Sequence, residues 1–211
     1  MKKLWGQLTD GLIAGIMISI GGTVFLSCNS DNMFIGKYAG ALLFCIALYC
    51  ICVKGYSLFT GKIGYIITNH TKTDFSVLLI GLLGNAIATI AFGYTLAAAI
   101  PSIKDAALAV CNPKLTQEIW QTLIRGIMCG ILMYLAVDIY RNHKSVLGII
   151  FCIPTFILCG FEHSIANIFY FAASGIVSLK ALLFIFIVII GNALGAFIIP
   201  LLKYTRKEKT E

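Results

Sequence analysis

Glu162, His163 and Asn167 bring a carboxylate, an imidazole and an amide together inside one of the most apolar regions of the chain. The run Ser145 to Leu158 before them is nearly all apolar, and Tyr170-Phe171-Ala172-Ala173 follows. Imidazole is the side chain whose charge changes near neutral pH, so it can carry or relay a proton. At membrane depth an ionisable group costs about 2.5–3.5 kcal/mol on insertion scales, so by default it marks a pathway for ions or protons. The bland alternative is a structural histidine hydrogen-bonded across a broken helix. For Glu162 the structural reading is favoured over a proton relay: a carboxylate fixing the irregular segment.

The rest of the composition puts this stretch at membrane depth. The chain has 211 residues, 59% of them hydrophobic and 12% charged, with mean hydropathy +0.93. A soluble domain carries about 25% charged residues, so several long apolar runs at half that density indicate a polytopic membrane protein in contact with lipid. The net charge of +7 then bears on topology and calls for no nucleic-acid partner. The eight cysteines form no Cys-x-x-Cys and have no histidine at ligand spacing. They read as buried thiols, with no metal or cofactor expected. Met1-Lys2-Lys3 and Phe25-Leu26-Ser27-Cys28 faintly resemble signal and lipoprotein sequences, but cleavage would remove a helix that the internal repeat needs.

Leu8 to Leu26 makes a first span, close to the roughly 20 residues a bilayer requires. Phe34 to Val53 makes a second, interrupted at Lys54-Gly55-Tyr56-Ser57-Leu58-Phe59-Thr60-Gly61-Lys62 and resuming briefly over Gly64 to Thr68. Phe75 to Ile100 is a third span, Pro101 to Lys114 a polar connector, and Thr116 to Tyr140 a fourth. Polar loops are expected at Cys28 to Asn32 and Asn69 to Asp74, and a basic loop at Arg141 to Lys144. The apolar halves Ser145 to Leu158 and Ile168 to Ala173 flank the opening motif, and Leu179 to Leu202 is the last span before a charged tail.

The two halves rhyme. Gly11-Leu12-Ile13-Ala14-Gly15 answers Gly126-Ile127-Met128-Cys129-Gly130, Leu58-Phe59-Thr60-Gly61 answers Gly160 to Ala166, and Gly84-Asn85-Ala86 answers Gly191-Asn192-Ala193. Each half reads span, broken span, span, and an odd number of spans inverts the second copy. The fold expected is therefore an all-α membrane protein in a single domain, 1–211. Six transmembrane helices form two inverted three-helix repeats, about 8–100 and 115–202, with the second and fifth helices broken. Paired breaks of this kind place a site near the midplane, with two half-helix N-termini that favour an anion. Both termini are expected to be cytoplasmic, including the tail 203–211. Lys2, Lys3, Lys72, Arg141, Lys144, Lys203, Arg206, Lys207 and Lys209 then lie inside, against Lys37, Lys104, Lys114 and Lys180 outside.

Gly160-Phe161-Glu162-His163-Ser164-Ile165-Ala166-Asn167, paired with the upstream Leu58-Phe59-Thr60-Gly61, resembles the formate/nitrite transporter family, over essentially the whole chain from Gly11 to about Leu202. The resemblance implies an aquaporin-like fold and a homopentamer with one pore per protomer in the cell membrane. It implies conduction of small monovalent anions such as formate, nitrite or hydrosulfide. His163 would be the central pore histidine, Thr60 its hydroxyl partner and Asn167 a nearby amide. Leu58 and Phe156 would form apolar constrictions, with Phe59 beside them, and Lys114 would be a vestibule lysine drawing anions in. Glu162, Gly61 and Gly160 would be structural at the breaks.

Three features depart from the family pattern. Ser57 stands where an acidic residue is common, and Cys129-Gly130 where several members have Cys-Asn. Little chain precedes the first span for the N-terminal helix proposed as a gate in some members. Lys54 and Lys62, in the first break, are read as snorkelling to an interface, Lys54 more so than as facing the pore. Arg125, in the fourth span, is read as pairing with Glu118 or reaching a neighbouring protomer, with no role in the pore assigned. Asn85 and Asn192 are read as helix-packing amides. An enzyme or redox reading lacks a catalytic dyad or cofactor ligands, and a neutral-solute channel lacks paired Asn-Pro-Ala motifs. No single anion, gating mechanism or proton stoichiometry is encoded in these residues.

Overall fold

The computed structural model describes residues 2–29, 34–67 and 71–208, and among these every regular element is helical. Five helical stretches are long and apolar enough to cross a membrane: Leu4–Asn29, Ile35–Lys54, Asp74–Ala99, Ile119–His143 and Leu179–Thr205. The corresponding helices are α1 (Lys2–Asn29), α2 and α3 (Phe34–Leu43 and Cys45–Lys54, divided by a turn at Phe44), α5 (Lys72–Ala99), α7 (Ile119–His143) and α10 (Leu179–Glu208). The remaining crossing is made from two short apolar helices in series, α8 (Leu147–Leu158) and α9 (Ser164–Ser174). After the first break, α4 (Phe59–Lys62) continues as a 3₁₀ turn over Ile63–Ile67.

Several boundaries differ from those read in the sequence. Pro101 to Lys114 is a helix, α6, with Pro101 in its first turn, where a missing N–H costs nothing. Its Ile103, Ala106, Ala107 and Cys111 are buried, with α6 packed on α9. The basic segment after the fourth span stays helical through His143, and Lys144 closes it in the left-handed conformation at φ 54°. The charged tail continues α10 as far as Glu208. The second half of the fifth crossing does start at the break, at Ser164, ahead of its apolar run, as the sequence implies. Of the expected polar loops, Cys28 and Asn29 instead continue α1 and Lys72 to Asp74 open α5, while residues 30–33, 68–70 and 209–211, with Lys209, lie outside the described residues.

Glycine decides the tightest packing. The pairs α1–α5 and α7–α10 approach closely along small residues. A Cβ at Gly11 would meet the Gly81 carbonyl oxygen at 2.6 Å, and one at Gly15 would meet the Asn85 carbonyl and Ala88 Cβ, each at 2.7 Å. In the second half, a Cβ at Gly191 would lie 2.9 Å from both Gly126 Cα and the Leu123 carbonyl oxygen. The glycines shared by the two repeats are therefore contact points between backbones. Outward faces carry large apolar side chains instead, such as Leu79, Leu83 and Ile87 on α5 and Leu182, Phe186 and Ile190 on α10. Each of the eight cysteines is a free thiol, and no metal-binding cluster occurs among the described residues.

Gly191→Val should lower the melting temperature of the detergent-solubilised protein, since overpacking costs about 1–3 kcal/mol. Gly6→Ala, where a Cβ meets nothing within 4 Å, should leave it unchanged or slightly raised. Equal melting curves for Gly191→Val and the parent would refute the backbone-contact role.

Candidate functional site

Each break is held open by one asparagine. Asn85 Oδ1 accepts the Phe59 N–H at 2.9 Å, while its Nδ2 donates to the carbonyls of Gly11 and Ser57, both at 2.8 Å. Asn192 repeats this in the second half: Oδ1 accepts the Ser164 N–H at 2.9 Å, and Nδ2 donates to the carbonyls of Gly126 at 2.9 Å and Glu162 at 2.8 Å. Two further bonds recur. The Ser57 N–H donates to the Asp10 carbonyl as that of Glu162 does to Arg125, and the Tyr56 N–H to Ile51 as that of Phe161 does to Phe156. Both asparagines are fully buried. They satisfy backbone groups that a broken helix would otherwise leave bare, which is the condition for irregular backbone at membrane depth. The packing role read for them in the sequence understates this.

The breaks also need backbone turns. Gly55 at φ 75° ends α3, and Gly160 at φ 67° turns the chain between α8 and α9. A side chain at either position would strain the left-handed conformation. Gly61, by contrast, is helical and leaves room for Val137, whose Cγ2 would lie 3.1 Å from a Cβ there.

His163 and Thr60 meet where the two breaks face each other. Thr60 Oγ1 and His163 Nε2 are 2.9 Å apart, and both residues are buried. His163 caps α9 by accepting the Ala166 N–H on Nδ1 at 3.1 Å. A nitrogen that accepts carries no proton, so the neutral ring bears its proton on Nε2 and donates it to Thr60 Oγ1. Phe156 stacks on the imidazole, with centroids 5.7 Å apart and planes inclined by 21°, and Phe44 meets Phe156 edge-on at 6.3 Å.

Two cavities approach this contact from opposite sides. One, about 530 Å³, reaches Phe156, His163, Asn167 and Glu162 and carries Lys37, Lys114 and Arg125 in its walls. The other, about 370 Å³, ends on Leu58 and Gly61 and is lined further out by Lys62, Tyr65, Asp74, Tyr140 and Arg141. Leu58 and Phe156 thus line separate cavities, with His163 beside Phe156 in the larger one and Thr60 lining neither. Phe59 enters the site through its backbone N–H and lines neither cavity. Lys54 is exposed and lines neither.

Glu162 is 1% exposed and serves as a hub for donors. Lys114 Nζ lies 2.5 Å from Oε2, Asn167 Nδ2 donates to the same oxygen at 3.0 Å, and Gln117 Nε2 donates to Oε1 at 2.9 Å. Thr122 Oγ1 in turn donates to Gln117 Oε1 at 3.2 Å. Asn167 and Lys114, expected on the pore, do line the cavity, yet their donors point to Glu162. The sequence reading overlooked Gln117, whose only signal is an amide three residues beyond Lys114. It also gave Arg125 and Lys37 no role in the pore, although both stand in the same cavity wall.

Lys114→Met would strand the Glu162 carboxylate, and breaking one side of a buried pair costs about 3–5 kcal/mol. A marked fall in melting temperature is expected, largely reversed by adding Glu162→Gln. Additive losses in the double variant would refute the pairing.

The sequence model for the formate/nitrite transporter family matches residues 1–205. A curated relative, "Uncharacterized transporter YwcJ" from Bacillus subtilis (strain 168), is 28% identical over 184 residues, covering 77% of this chain and 71% of its own length. Two solved structures share the fold. One titled "FNT family ion channel" superposes with a TM-score of 0.83 at 21% identity, covering 96% of this chain and 90% of that one. One titled "Pentameric formate channel with formate bound" superposes with a TM-score of 0.81 at 22% identity, covering 98% of each. With a family match spanning nearly the whole chain, laid over paired broken helices that close on a buried histidine, this protein belongs to the formate/nitrite transporter family and is a multi-pass membrane transporter rather than an enzyme.

Proposed function

We propose that the chain conducts small monovalent anions, formate, nitrite or hydrosulfide, through a pore within each protomer, passively or with a proton through His163. The observation that carries this reading is the Thr60–His163 contact, where His163 lines one cavity beside Phe156 and Thr60 sits next to Leu58 and Gly61 of the other. An anion reaching Phe156 or Leu58 must shed water, because neither side chain offers a hydrogen bond. The Nε2–H of His163, freed from Thr60, then supplies a donor to the bare ion, and the Thr60 hydroxyl supplies a second. Lys37, Arg125 and Lys114 enrich anions in the larger cavity, with Glu162 offsetting one of these charges.

The geometry also bears on how a proton would move. Nδ1 is occupied by the Ala166 N–H, so a second proton reaches the ring only if that bond opens. Donation of a hydrogen bond is therefore the resting role of His163, and full proton transfer requires a local rearrangement of the first turn of α9. Homopentameric assembly, by analogy with the neighbour titled a pentameric formate channel, would bury part of the apolar outer surface and leave the rest to lipid. The reading places the protein in the plasma membrane with both termini cytoplasmic, as the distribution of lysine and arginine favours.

Liposome flux of formate, nitrite and hydrosulfide across pH 5 to 8 tests the proposal. His163→Ala removes a donor to a charged species worth about 1.5–3 kcal/mol, so flux should fall about 10- to 100-fold. If the imidazole relays the proton, the pH dependence of the residual flux should also flatten. Unaltered flux and pH dependence would remove His163 from the mechanism, and absence of anion flux in the parent would overturn the whole reading.

A further inference from the structure

The matched hydrogen bonds around Asn85 and Asn192 set the two breaks in register residue by residue. Ser57 corresponds to Glu162, Leu58 to His163 and Phe59 to Ser164. Counting onward, Lys62 corresponds to Asn167. In the second break this pair closes on itself, since Asn167 donates to Glu162 and Lys114 neutralises the carboxylate. In the first break the acceptor has become a serine and the donor a lysine. Ser57 is buried, and its hydroxyl lies against Gly81, 2.6 Å from where a Cβ would stand. It offers Lys62 no carboxylate.

Lys62 instead lines the 370 Å³ cavity together with Arg141. The described residues contain two ion pairs, Lys114–Glu162 and Lys203–Asp138, and Lys62 is in neither. The carboxylates around it are otherwise engaged or withdrawn. Asp74, in the same wall, is tied to Thr71 in the capping box of α5. Asp138 accepts from Tyr65, Tyr134, Asn142 and Lys203. Asp10 acts on Lys62 electrostatically, as does Arg141 with the opposite sign, but Asp10 is not part of the cavity wall. Arg141 is held in place over the Tyr65 ring, 4.0 Å from its centroid. Lys62 and Arg141 therefore line one half-enclosed space in which neither has a carboxylate ion-pair partner, and a monovalent anion there can interact with both.

We propose that Lys62 and Arg141 form a second anion-binding subsite, for a small monovalent oxyanion, on the side of Leu58 away from His163. The subsite rests on the anion-conduction reading and adds sidedness to it. Anions held at Lys62 wait one constriction away from the Thr60–His163 contact. The two cavities then differ next to the central contact: Lys114 is clamped by Glu162 in the larger one, whereas Lys62 beside Leu58 is available to the ion.

The test compares the parent with Lys62→Asn, the residue type at the corresponding position of the second break, and with Lys62→Arg. Planar-bilayer currents with formate supplied from either side should show the half-saturating concentration rising about three- to tenfold in Lys62→Asn from one side alone. Lys62→Arg should stay close to the parent, and flux from the other side reports that the variant is folded. No change from either side, or an equal change from both, overturns the subsite. Saturation-transfer NMR on the formate proton, with detergent-solubilised protein, separates this from failure of the conduction reading. A parent that carries no current yet binds formate more weakly after Lys62→Asn keeps the subsite and discards conduction; identical binding discards the subsite.

Discussion

A polypeptide that stops being helical inside a bilayer must find partners for the backbone groups it exposes, and this requirement organises the molecule. Asn85 and Asn192 meet it in the same way, each reaching one N–H and two carbonyls from a neighbouring helix. A primary amide suits the task because it offers both an acceptor and two donors in one plane. The amides reach the breaks only because α1 lies against α5, and α7 against α10, with glycine at the contacts. Packing and polar satisfaction are thus one problem: a Cβ at Gly11 or Gly126 would push away the helix that carries the clamp.

Once the backbone is satisfied, the side chains at the meeting point are free to differ between the halves, and they do. The second break holds an imidazole, a buried carboxylate and its three side-chain donors; the first holds Leu58, Thr60 and Lys62. The half-helices differ as well. α9 runs for 11 residues behind a capped first turn, whereas α4 has 4 residues and passes into a 3₁₀ turn. Any dipolar attraction for an anion therefore comes chiefly from α9. The inverted repeat supplies a frame whose two cavities are chemically distinct.

Glu162 shows how burial changes the meaning of a charge. An ionisable group in an apolar run is costly, and the sequence already favours reading this one as a carboxylate that fixes the irregular segment. In the structure it is an organising centre, tying the end of α6, the link between α6 and α7 and the first turn of α9 to one another through Lys114, Gln117 and Asn167. His163, one residue on, is thereby presented with its backbone constrained on both sides. The carboxylate ties these elements together, and the imidazole meets Thr60 at the edge of the larger cavity.

Much of this was legible in the chain itself. Apolar runs of bilayer length, the recurrence of Gly-x-x-x-Gly and Gly-Asn-Ala in the same order, and two polar interruptions announce six crossings with paired breaks, because hydrophobic length and small-residue spacing are local properties. The resemblance carried by Gly160 to Asn167 pointed to the family. Other features are not local. The helix α6 was hidden by its polar composition, since its stability comes from burying Ile103, Ala107 and Cys111 against α9. That Thr60 and His163 touch, 103 positions apart in sequence, that Asn167 turns to Glu162, and that Lys62 faces a cavity with Arg141 follow from where packed helices place their ends. Sequence determined which segments cross and where they break; only tertiary packing decided which side chains meet at the breaks, because those contacts depend on distances between helices that no local pattern encodes.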